Sequence, residues 1–138
     1  MNKILICLYA IISAVMPLAS YSSNGGSWSE QATGGTVSIG NQLLISRTIH
    51  SPANIPKPSW SRTISWKVDL LSPPPSGLMI TLCSQDGCVS LPSLSGQIRP
   101  VGRIPAYGNF YFIYTVKHNG QLLPPLTVIN NKLTINYY

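Results

Sequence analysis

Acidic side chains are nearly absent from this 138-residue sequence, where Glu30, Asp69 and Asp86 stand against nine Lys and Arg. Acid–base catalysis by paired carboxylates needs two such groups at one site. Here Glu30 follows a Gly/Ser-rich opening, Asp69 sits on an alternating stretch and Asp86 in an Asp-Gly turn, so nothing in their spacing brings two together. Histidine is as scarce. His118 precedes a turn and reads as a solvated loop residue, and with His50 as its sole companion a cysteine-based zinc site is poorly supplied. No Gly-x-Ser-x-Gly elbow and no phosphate-cradling glycine loop before a helix occurs. The expectation is a non-enzyme with no catalytic residues, cofactor, metal or small-molecule substrate.

Runs of positive charge are missing as well. Without Lys3 the basic residues number eight against three acids, and Arg47, Lys57, Arg62, Lys67, Arg99, Arg103, Lys117 and Lys132 are spread thinly. Basic runs interleaved with aromatics, which nucleic-acid grooves require, do not appear, so no nucleic-acid partner is expected. Helical periodicity with caps is lacking too. What the chain does have is 44% hydrophobic residues with 12 Pro and 11 Gly, enough to fill a core and to turn often.

One apolar stretch, Ile4–Leu18, follows Lys3 and gives way to small polar residues at Ala19–Ser23. This reads as a secretory signal peptide over residues 1–22, cut somewhere between 20 and 24; an uncleaved anchor is the alternative. Cys7 belongs to that leader. Cys83 and Cys88 remain as an even pair in an exported chain, where a disulfide is the natural reading. The Asp86-Gly87 turn between them would let two strand ends come within bridging distance. A half-built zinc site and a redox pair are the rivals, but the spacing is not Cys-x-x-Cys.

Residues 23–138 read as one domain. Thr36–Ile39 and Gln42–Ser46 resemble short strands, and the prolines of His50–Pro58 exclude a regular element there. Thr63–Leu70 alternates strictly, with Ile64, Trp66, Val68 and Leu70 on one face. Leu78–Cys83 and Cys88–Leu91 form an antiparallel pair, Ser93–Tyr107 holds a loop and an edge strand, and Phe110–Val116 is the most aromatic strand. His118-Asn119-Gly120-Gln121 predicts a hairpin, and Asn130-Asn131-Lys132 a second one between Leu126–Ile129 and Leu133–Tyr137. The asparagines look like turn and edge residues. About eight short strands indicate an all-β antiparallel sandwich or small barrel.

Trp66, Phe110, Phe112 and Tyr114 share faces with aliphatic neighbours, so core packing claims them before any sugar-stacking platform does. Trp60 and Tyr111 lie off that phase. With Tyr107 and Arg62 they are the candidates for an exposed protein-contact patch.

The segment Ser76–Leu91, with its Leu-Cys-Ser-Gln-x-x-Cys-Val core, resembles the central pattern of the flagellar protein FlhE family. Gly120–Val128 and Ile135-Asn136-Tyr137 resemble the family's end, and Trp28 and Trp66 fall where it has tryptophans. Residues 40–62 and 92–108 depart from it. The resemblance implies a periplasmic β-sandwich that acts in flagellar assembly, with chaperone-like binding of rod, filament or export-apparatus proteins and control of proton leakage, as a monomer or weak homodimer. A pilus-type fibre subunit or adhesin and a glycan-binding module are the alternatives. Cys83 and Cys88 of the exported protein are expected to resist alkylation until reduced, seen as an unchanged mass; thiols reactive without reductant would contradict the disulfide.

Overall fold

The computed structural model describes residues 25–138, so the expected leader, its cleavage point and Cys7 lie outside the described residues. Ten strands follow one another: β1 Gly26–Ala32, β2 Gly35–Ile39, β3 Leu44–Ile45, β4 Ile49–His50, β5 Ser61–Leu70, β6 Leu78–Ser84, β7 Gly87–Leu91, β8 Ser95–Ile98, β9 Asn109–Val116 and β10 Gln121–Tyr137. They form two antiparallel sheets. In the first, β10 lies between β5 on one side and β1 with β2 on the other, and β8 lies outside β5. In the second, β9 lies between β6 and the short pair β3 and β4, with β7 beyond β6.

Period-2 alternation builds the shared core. Ile64, Trp66 and Val68 of β5 and Phe110, Phe112, Tyr114 and Val116 of β9 are all buried, together with Ile80 and Leu82 of β6. Each such side chain contributes roughly 1.5–3 kcal/mol by leaving water. The Phe112 and Tyr114 rings stack with centroids 6.2 Å apart, and Trp28 tilts against Phe110 at 5.7 Å. The all-β expectation holds, and the two layers make it a sandwich. Cys83 and Cys88 are bonded, facing each other directly across β6 and β7 with Cα atoms 4.0 Å apart.

Two expected hairpins are corrected. Asn130-Asn131-Lys132 does not reverse the chain, because β10 runs unbroken from Gln121 to Tyr137. Its pairing with β5 passes from Val128↔Leu70 to Asn130↔Asp69, leaving Ile129 as an extra residue in a β-bulge. The bulge switches the inward phase: Leu126 and Val128 face the core before it, Asn131, Leu133 and Ile135 after it. Asn131 is therefore fully buried and is no turn residue. Its Oδ1 accepts from the Tyr114 hydroxyl at 2.6 Å and its Nδ2 donates to the Ala32 carbonyl at 3.1 Å, so the buried amide joins the two sheets with its polar atoms engaged.

His118-Asn119-Gly120 likewise makes no hairpin, since it carries the chain from β9 in one sheet to β10 in the other. The crossing is clamped to the end of β2: Gly40 N donates to Gly120 O and Asn41 N to Val116 O, both at 2.8 Å. A Cβ at Gly40 would collide with the His118 carbonyl, which is why glycine stands there. The strand count also rises above eight, because the Gly/Ser-rich opening forms β1 and Ile49–His50 forms β4.

Burial pushes the Tyr114 phenol above the usual tyrosine range. The fold holds the neutral form while the unfolded chain ionises near pH 10, so this contribution is present below about pH 10 and lost as pH rises beyond it. Tyr114→Phe is expected to cost about 1–3 kcal/mol at neutral pH by stranding Asn131, and to flatten the alkaline loss of stability. Urea unfolding at neutral pH and above about pH 10 measures both.

Candidate interaction surface

The start of β5 and the end of β10 meet at one end of the sandwich. Their pairing steps from Asn136↔Thr63 to Tyr137↔Ser61, so Arg62 is the extra residue of a second bulge. A bulge re-aims side chains. Ser61 and Thr63 are buried, whereas Arg62 is exposed with its guanidinium carbon 5.3 Å from the Tyr138 ring centroid. One residue earlier, Trp60 and Tyr138 exchange backbone hydrogen bonds of 3.0 Å in both directions.

A third segment closes this end. Ser61 N donates to Ile104 O at 2.7 Å and Ala106 N to Ser59 O at 3.0 Å, and the Trp28 indole donates to Ala106 O at 2.7 Å. Residues 104–107 are thereby fixed beside 59–61. The Arg103 guanidinium carbon lies 5.4 Å from the Trp60 ring centroid, and Lys57 Nζ lies 5.2 Å from that of Tyr107. Three cations thus rest on three aromatic rings around the C-terminal residue. Attraction to the ring quadrupole takes the place of carboxylates, which the composition hardly provides.

Of the residues singled out in the sequence, Trp60, Arg62 and Tyr107 are brought together. Tyr111 is not: it lies on the outward side of β9 opposite Cys83, half-buried beside the disulfide hairpin. Lys57, Arg103 and Tyr138 were missed as members. The signal was present in Lys57-x-x-Trp60-x-Arg62 and Arg103-x-x-x-Tyr107, where cations and rings interleave.

The opposite end carries an open cleft of about 300 Å³ whose walls include Pro73, Pro75, Val116, His118, Leu122 and Pro124, with Leu123 exposed at its rim. Titratable groups are scattered. Glu30 pairs across from Leu133, Asp69 from Asn130, Asp86 occupies the β6–β7 turn, and His50 Nδ1 meets Asn109 Oδ1 at 2.7 Å. Among the described residues no three His, Cys, Asp or Glu gather in a metal-binding arrangement.

The family profile described as "Flagellar protein FlhE" matches residues 34–138. The flagellar protein FlhE of Yersinia enterocolitica is 31% identical over 99% of this chain and 95% of its own length. The chain belongs to the FlhE family. The FlhE of Escherichia coli strain K12 is also 31% identical, over 89% of this chain and 93% of the relative. A crystal structure of FlhE superposes with a TM-score of 0.75 at 29% identity, covering 83% of this chain and 98% of the other. For this FlhE-family chain, Arg103→Ala is expected to lower stability by no more than about 1 kcal/mol, the range of an exposed cation–π contact. A urea midpoint shift worth several kcal/mol would instead make Arg103 a structural post.

Proposed function

We propose that this protein is an exported, non-catalytic accessory factor of flagellum assembly. It works in the periplasm through chaperone-like binding of flagellar rod, filament or export-apparatus components, and it limits proton leakage through the export system. The observation that carries this reading is the match to flagellar FlhE proteins along nearly the whole chain. The scattered carboxylates favour binding over catalysis. Two surfaces suit protein contact: the cation-covered end around Trp60, and the proline-walled cleft with exposed Leu123, which suits capture of an apolar segment.

The fibre-subunit alternative is less favoured. The C-terminal strand by which such a subunit would be read lies in the middle of its own sheet, hydrogen-bonded to β5 on one side and to β1 and β2 on the other, so no strand of that sheet is left for exchange at its centre. A glycan platform fares no better, because Trp28 and Trp66 are buried and Arg103 covers Trp60.

Photocrosslinkers at Leu123 and at Trp60 in living flagellated cells, followed by fractionation, test the reading. The expected outcome is a periplasmic adduct with a flagellar component from at least one position. In a strain lacking the gene, filaments misplaced into the periplasm are expected. Normal flagella together with no flagellar adduct would overturn the proposal.

A further inference from the structure

We infer that the end of the sandwich around Trp60 docks on an anionic phospholipid surface, with the loop between β8 and β9 as its tip. Arg62, Arg103 and Lys57 present their charges over rings and not against carboxylates. Arg99 adds a fourth cation on the same loop. Glu30 lies on β1 within the body of the sheet and Asp69 at the far end of β5 from Arg62, whereas Asp86, in the β6–β7 turn whose Gln85 side chain abuts Gly108, is the one acidic side chain among the described residues at this end, against four cations. The net result is a concentration of positive charge, which is attracted to anionic headgroups.

The tip supplies the apolar part. Ile98 pairs with Ile64 and Ile104 O accepts from Ser61 N, so both bases of the loop are anchored to the first residues of β5, next to Arg62. Between them, Arg99-Pro100-Val101-Gly102-Arg103 turns at Gly102, where φ is +87°. Val101 is 101% exposed, a side chain held entirely in water between two arginines. A protruding apolar residue flanked by two arginines, one of them lying over Trp60, fits a soft interface that accepts it at headgroup depth, with arginines reaching back to phosphates. A folded acidic protein would need a cavity matched to that tip. The lipid surface needs none, and that favours it as the occupant.

Residues 25–138 hold all ten strands and the whole described core, and a cooperative urea transition of that chain would be established first. It is then sedimented with phosphatidylglycerol–phosphatidylcholine vesicles and with phosphatidylcholine alone. Binding is expected to the anionic vesicles only, to weaken when salt rises from about 0.1 M to about 0.5 M, and to shift Trp60 emission to the blue. Trp28 and Trp66 are already buried and report little of that shift. Combined Arg62→Gln, Arg99→Gln and Arg103→Gln should weaken binding on the order of a hundredfold. Val101→Asp should weaken it about tenfold. Lys132→Gln, on β10 away from this end, should leave it unchanged.

Equal binding to neutral vesicles, no binding to anionic ones, or an effect of Lys132→Gln as large as that of the triple variant would overturn the inference. Retention by soluble polyglutamate without vesicle binding would overturn it in favour of an acidic protein. None of these results depends on a flagellar partner, so the docking surface and the flagellar reading fail or stand separately.

Discussion

One inserted residue, Ile129, sets which way β10 faces along its two halves. Side chains alternate with a period of two, so the same residues run as a regular strand would send Leu133 and Ile135 into solvent if Leu126 and Val128 stayed inside. With the bulge, all four face the core, and both Leu133 and Ile135 are fully buried. The same switch carries Asn131 inward. A buried amide is costly unless bonded, and the Tyr114 hydroxyl and Ala32 carbonyl meet that requirement while tying β9 to the first sheet. The partner strands β1, β2 and β5 all take their register from β10.

A second insertion on the same ladder shapes the surface. Arg62 is displaced from the pattern that buries Ser61 and Thr63, and its charge comes to rest over the ring of Tyr138. Irregularity in β10 pairing therefore serves two ends: one bulge organises the interior, the other delivers a cation to the outside. In a protein with three acidic residues, rings are the available counter-surface for its arginines. Such a contact neutralises nothing, so the positive field persists and remains open to an anionic partner.

Much of the fold was legible because Ile64–Leu70 of β5 and the whole of β9 alternate, and because Cys83 and Cys88 bracket a tight turn. What stayed hidden has particular causes. The β1 segment Gly-Ser-Trp-Ser-Glu-Gln-Ala buries Trp28 but offers no aliphatic alternation. Asn-Asn-Lys reads as a turn because local chemistry is silent about a bulge; the shift of apolar residues from even to odd numbers across it was the available clue. Asn-Gly at 119–120 lies in a bend and not in the expected hairpin, since a turn signal says nothing about which sheet receives the next strand. The site was half visible. Tyr111 and Trp60 are both out of phase with the core, but phase alone does not tell a half-buried outer face from a crowded sandwich end.

The placement of β10 has a temporal side. The last seventeen-residue strand lies at the centre of the first sheet, between partners drawn from the first half of the chain. β5 can pair with β8 beforehand, but β1 and β2 find their ladder only in β10, and contacts of such long sequence separation form late. A polypeptide built this way can close its second sheet early but its first only once β10 has been made.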